Sequence, residues 1–152
     1  MSLFSLLWSM FSFGFNMIFV VIPALVIYVI EALAYYKLLT RMDYTNAWMA
    51  WIPYLNYFAL ADCVCYSDYI SIIGQEINTK LFRFWFIISA ILGCIPYVGS
   101  MLAFIMQTLC LGYCFTEIFA SLEHKMTDET KLIGHLSGAF PIIGVIKSYM
   151  IK

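Results

Sequence analysis

The stretch AWMAWIPYLNYFALADC, residues 47–63, decides how the whole chain is read. It is apolar enough to lie in a bilayer, yet Pro53, Asn56 and Asp62 interrupt it, and a spanning helix disfavours all three. As helix, residues 46–53 rise about 12 Å and residues 54–66 about 20 Å, each short of a ~30 Å hydrocarbon core. Two short arms broken at a proline suit a segment that enters and returns to its own side. Asp62 at a bilayer centre costs about 2.5–3.5 kcal/mol on insertion scales, but little near the interface. Trp48, Trp51, Tyr54 and Tyr57 suit the headgroup level, where amphipathic rings concentrate. Re-entry further requires that protein shield the bent backbone. A weakly polar spanning helix buried in a bundle is the competing reading.

Composition sets the solvent. Hydrophobic residues make up 64% of the 152, charged residues 11%, and mean hydropathy is +0.90. Soluble domains hold roughly 45–50% apolar and about 25% charged residues, so a water-borne fold of this chain would expose large apolar patches. One polytopic helical membrane domain over residues 1–152 is expected. The net charge of −1 leaves no basic patch to neutralise phosphates, which excludes a nucleic-acid partner. The start MSLFSLLW lacks a basic n-region and a small-residue cleavage site, so it is expected to stay in the mature chain.

Residues 15–38 form the clearest spanning helix, with Pro23 tolerated inside it and Glu31 near its end. Upstream, in residues 1–14 and just beyond, Ser2, Ser5, Ser9, Ser12 and Asn16 recur at spacings that place them on one helical stripe. Small hydroxyls on one face favour close packing of helices in lipid, or else line water. With this extension the helix would be about 55 Å long, so it must break, with Gly14 as candidate, or tilt. Residues 81–121 are too long for one crossing. The breaker CIPYVGS divides them into helices over 81–95 and 100–121, joined by a turn from Pro96 to Gly99. Ser89 and Gly93 give the first arm a small-xxx-small face. The last apolar segment, 132–149, is short and interrupted by Pro141, with Gly134 and Gly138 as a GxxxG packing pair.

The motifs IPYLN (52–56), IPYVG (95–99) and FPIIG (140–144) place prolines 43 and 45 residues apart. This hints at repeated helical units punctuated by proline. Charge then weighs the topologies. If segments 46–66 and 132–149 both span, the eight basic residues divide four and four; if both re-enter, all eight fall on one side. The positive-inside rule favours the second. The expected fold is therefore an all-α integral membrane protein with three spanning helices plus two proline-broken re-entrant or interfacial segments. The N-terminus lies outside and the C-terminus in the cytoplasm. Five spanning helices is the alternative.

Polar residues at membrane depth are functional candidates by default: Glu31, Asn56, Asp62, Gln107 and Glu117. Against that, Glu31, Asp62 and Glu117 fall near the cytoplasmic face in the three-crossing topology, where solvent serves them. Asn56, at the loop tip, suits a backbone hydrogen bond. Five cysteines, mostly in apolar runs, argue against a disulfide framework. Cys110 and Cys114 stand one turn apart, a spacing open to a soft metal, but they lack a paired histidine and read better as small hydrophobes. His124 sits in a charged loop; His135, inside the GxxxG helix, suits a buried hydrogen-bonding role. No metal spacing, phosphate-binding loop or nucleophile–base pair stands out, so neither a cofactor nor an enzymatic activity is expected.

The run Ala47-Trp48, Ala50, Ile52-Pro53 and Asn56 resembles a segment of small uncharacterised bacterial multi-pass membrane proteins, with the pattern A-W-x-A-x-I-P-x-x-N. The IPYVG turn and FPIIG tail extend the likeness over about residues 30–150, while RMDYTN replaces that group's glycine-rich loop. The resemblance implies a bacterial cytoplasmic membrane and brings no catalytic residues. The expected function is that of a non-catalytic membrane subunit, packing within a larger transport or secretion complex or with itself. Its partners would be the bilayer and other membrane helices. The alternative is a small channel or carrier formed by oligomerisation, with the serine stripe and re-entrant segments lining its path.

Overall fold

The computed structural model describes the backbone of residues 3–72 and 74–151, and among these the side chains from residue 17 onward. The chain is mostly helical. Helix α1 (Leu3–Arg41) runs 39 residues without interruption, about 58 Å at 1.5 Å per residue, and passes through Pro23. The break expected at Gly14 is not there. One interior glycine costs about 1 kcal/mol, whereas a break would demand that a second helix be nucleated. Ser5, Ser9, Ser12 and Asn16 lie along α1 with side chains outside the described ones, and Ser2 lies outside the described residues.

The decisive stretch is not a rod. It forms a 3-10 turn, Ala47–Trp51, and a nine-residue helix α2 (Leu55–Cys63), parted at Pro53. Tyr54, after the proline, takes a left-handed φ of 69° to reverse the chain. At the tip, the Tyr28 hydroxyl donates to Trp51 O at 2.6 Å; Tyr28 lies about 20 Å along α1 from Arg41. At the base, the Tyr44 hydroxyl donates to Asp62 Oδ2 at 2.7 Å. The excursion thus goes in and comes back to the end of the bundle where it began.

A short β-hairpin follows, absent from the sequence expectation. Strands β1 (Tyr69–Ile72) and β2 (Gln75–Asn78) pair antiparallel, Tyr69 opposite Asn78 and Ile72 opposite Gln75. Thr79 closes its base, donating to Asp68 O from both N and Oγ1 at 3.1 Å. Two four-residue strands with one buried side chain, Ile70, leave too weak an alternation to stand out in an apolar chain.

The arm expected to span over 81–95 is corrected. It is a single turn, α3 (Thr79–Phe82), and a nine-residue helix, α4 (Trp85–Gly93), of about 14 Å. The chain kinks between them, where Arg83 Nε reaches Asp62 Oδ1 at 2.8 Å. A turn from Cys94 to Val98 then leads into α5 (Gly99–Leu122), within a residue of the expected bounds. Among the described residues, two helices rather than three are long and apolar enough to cross a membrane: Met17–Arg41 and Gly99–Leu122.

The tail forms α6 (Asp128–Ala139) and α7 (Pro141–Met150), starting four residues before the expected segment because Thr127 caps α6, accepting from Thr130 N at 3.1 Å. Here too the chain returns to its origin. Lys147 Nζ lies 2.6 Å from Glu123 Oε1. Lys37 Nζ donates to Ser148 O at 2.9 Å and Arg41 Nη1 to Ile151 O at 2.7 Å, so α1 supplies the cations that cap the carbonyl end of α7.

Both returns build the core in one half of the bundle. Tyr35, Leu38, Leu39, Leu60, Leu111, Phe115 and Phe119 are fully buried there, with the Tyr35 and Phe115 rings 5.9 Å apart. Among the described side chains, α1 buries none before Ala32, and α5, Gly99 aside, none before Cys110. The other half consists of apolar helices that face outward.

Candidate functional site

The two excursions meet at Glu31. Residues at the start of α2 line one cavity beside Glu31, and residues at the start of α7 line another. With Tyr28, Pro53, Tyr54, Asn56 and Tyr57, Glu31 lines a cavity of about 240 Å³. With Ile27, Phe140, Pro141 and Ile142 it lines another of about 270 Å³. A third cavity, about 330 Å³, lies across the first tip between Tyr54, Tyr57, Trp85, Ser89 and Gln107. Tyr54 and Tyr57 therefore stand between Glu31 and Gln107. Of the five polar candidates, Glu31 and Asn56 line one cavity, and Gln107 lines a second that shares Tyr54 and Tyr57 with it.

The chamber's polar groups are incompletely paired. Glu31 is half-buried and has no hydrogen-bond or ion-pair partner among the described residues. The Tyr35 hydroxyl, one turn along α1, and the Trp85 indole N–H are buried without a partner among the described residues. Buried donors left unpaired cost about 1–3 kcal/mol each, so such groups call for a ligand or water. Asn56 Oδ1 accepts from Tyr57 N at 2.8 Å. The chamber can hold a proton, a small cation or a hydrogen-bonding solute. Among the described residues it contains no hydrogen-bonded nucleophile–base pair, and no group of His, Cys, Asp or Glu able to hold a metal. Cys63, Cys110 and Cys114 are buried, and burial raises the Cys63 thiol to about 12.

The remaining candidates lie elsewhere. Asp62 is not merely solvated: it is held by Arg83 and Tyr44 at the base of the first excursion. Burial, then the bond to Asp62, raises the Tyr44 hydroxyl. Glu117 lies in a separate groove. Ser89 donates to Ala103 O at 3.2 Å, and a Cβ on Gly93 would sit 3.9 Å from Ala103 Cβ, so the small face of α4 rests on α5. A Cβ on Gly134 would lie 2.7 Å from Thr116 Cα, and one on Gly138 2.7 Å from Gly112 Cα, so the GxxxG pair lets α6 touch the α5 backbone. A Cβ on Gly99 would collide with Leu92 O. His135 is exposed rather than buried, although its Cα and its ring Nδ1 both lie against Gly112, 3.1 and 3.2 Å from where a Cβ there would sit.

Sequence reasoning missed Tyr57 and Trp85 as cavity walls, the unpaired Tyr35 hydroxyl, and Arg83 and Tyr44 as the clamp. Only Tyr35 had a signal, its i+4 spacing from Glu31. No protein-family model, no curated protein and no solved structure matches this chain.

Proposed function

We propose that the protein is a non-catalytic integral membrane subunit that works by packing against other membrane helices, of a transport or secretion assembly or of further copies of itself. The observation that carries this reading is α1. It is one apolar helix of about 58 Å, nearly twice a hydrocarbon core, and only 11% of its spanning window is covered by the rest of the chain, against 44% for α5. Among the described side chains nearly all of α1 from Met17 to Ile30 is exposed, and an apolar face so little covered by its own chain calls for a neighbour, to which the Ser5–Ser9–Ser12 spacing in the sequence is suited.

In this reading α1 and α5 cross the membrane and the two excursions re-enter from one side. Lys37, Arg41, Arg83 and Lys147 gather at the shared end through the contacts above, which supports a cytoplasmic placement of that end and an external N-terminus. The likeness of the A-W-x-A-x-I-P-x-x-N segment to small bacterial membrane proteins agrees with a bacterial cytoplasmic membrane. Extraction in mild detergent followed by native mass measurement tests the assembly. Recovery as an oligomer or hetero-complex, with cysteines at Ser5, Ser9 or Ser12 cross-linking to the partner, is expected. Recovery only as a monodisperse single chain refutes it. A cysteine at Lys80 that reacts only from outside the cell refutes the orientation.

A second reading is favoured by the Glu31 chamber: an oligomeric channel or carrier in which the re-entrant tips form the constriction. Flux through liposomes containing the purified chain, lost in Glu31→Gln, is its signature; a packing subunit conducts nothing alone.

A further inference from the structure

The largest cavity described, about 470 Å³, lies away from the Glu31 chamber, in a groove between the β-hairpin and the pair α5–α6. Its polar lining is dipolar: Glu117 of α5 on one wall, Lys131 and His135 of α6 on the other, with Ser71 of β1 and Tyr113 of α5 adding hydroxyls. Ile72, Leu109 and Met126 supply an apolar remainder. Lys131 is exposed, and its Asp128 partner, at 3.7 Å, is a loose surface pair worth little. Glu117 has no hydrogen-bond or ion-pair partner among the described residues. Along the helices, Glu117 lies about 8 Å from the Leu122 end of α5, and Lys131 one turn inside the start of α6. If α5 crosses the bilayer, that depth is the boundary between headgroups and acyl chains.

We infer that this groove is a headgroup site for a phospholipid bearing a primary ammonium. The phosphate lies against Lys131 and His135, the ammonium donates to Glu117, and the glycerol end of an acyl chain lies on Ile72 and Leu109. A carboxylate and an ammonium facing one groove complement a zwitterionic headgroup with its charges in the opposite order. The requirement for a donating ammonium discriminates: a quaternary choline cannot hydrogen-bond to Glu117. This site is independent of the chamber and of the assembly along α1.

The test uses the full chain in detergent, titrated with phosphatidylethanolamine or phosphatidylcholine of matched acyl chains and read by native mass spectrometry. One ethanolamine lipid is expected to be retained about tenfold more tightly than the choline lipid, the scale of one charge-assisted hydrogen bond. Glu117→Gln erases the preference while phosphate-driven binding persists; Lys131→Ala weakens both lipids together. Lys131 is on the surface, so its variant folds, and Glu117→Gln keeps the side-chain shape. Equal retention of the two lipids by the native chain overturns the proposal. So does unchanged ethanolamine-lipid binding in both variants.

Discussion

The chain leaves and returns to one end of the bundle twice, and the two loops are fastened differently. The first, residues 44–62, is short and turns at a strained tyrosine; its base is held by polar side chains, Tyr44 and Arg83 on Asp62. The second, residues 127–151, turns at Pro141 with no left-handed residue, and is held along its length by glycines seated against α5. Its base carries one ion pair and the α1 caps. One loop is clamped by chemistry at its mouth, the other by shape along its wall. Loss of charge is therefore expected to tell most at the mouth of the first, and added volume most along the α5 face of the second.

The sharpest way to break that contrast is Gly138→Ala. The added methyl meets the backbone of Thr108 and Gly112, which cannot yield, so about 1–3 kcal/mol of overpacking or more is expected, read as a lowered melting temperature in detergent. Next is Asp62→Ala, which strips the mouth of the first loop. Both ion-pair side chains are partly exposed, at 36% and 24%, so the loss is nearer about 1–2 kcal/mol than the 3–5 of a fully buried pair. Proteolysis within residues 47–63 should rise with it. An Asp62→Ala chain as stable as the native one would show that shape, not charge, closes this loop too.

The second loop's ion pair has a pH signature. The Lys147 ammonium bonded to Glu123, with help from Thr130, holds that carboxyl below its ordinary value. A depressed carboxyl stabilises the fold above its unfolded pKa, about 4.3. That stability is lost as pH falls through the lower folded value. Melting temperatures of the native chain and Glu123→Gln should differ at neutral pH and converge in acid below the ordinary glutamate range. A gap that stays constant with pH would assign the contact to packing.

The smallest effect concerns the two IPY turns. Tyr54 and Tyr97 both adopt left-handed φ, 69° and 68°, directly after proline. Tyr97 is fully exposed, so Tyr97→Gly should relieve strain and stabilise by up to about 1 kcal/mol. Tyr54 lines the chamber, so Tyr54→Gly should gain less or lose. Equal shifts in the two would mean that Tyr54 contributes nothing but its backbone.

Much of this was legible locally. The prolines at 53, 96 and 141 mark three helix boundaries, because proline lacks the N–H that a helix interior needs. Gly134 and Gly138 read as a close-packing face because their spacing returns them to one side of a helix. The start of α4 was not legible: residues 81–95 are apolar apart from Arg83 and Ser89, and where the helix kinks Arg83 reaches a carboxylate 21 positions earlier. The chamber was legible only as a set of isolated polar residues. Nothing in the positions of Glu31, Asn56 and Gln107 foretells that one tip will stand among them.

By itself the sequence determined the apolar, mostly helical character of the chain and the three boundaries that proline marks, since hydropathy, helical spacing and the missing proline N–H act over a few residues. Tertiary structure alone decided which contacts fasten each returning segment, which carboxylate is clamped and which is left unpaired, and that both loop tips line cavities beside one glutamate. Those outcomes depend on contacts between residues far apart in the chain, whose energies exist only once the helices are packed.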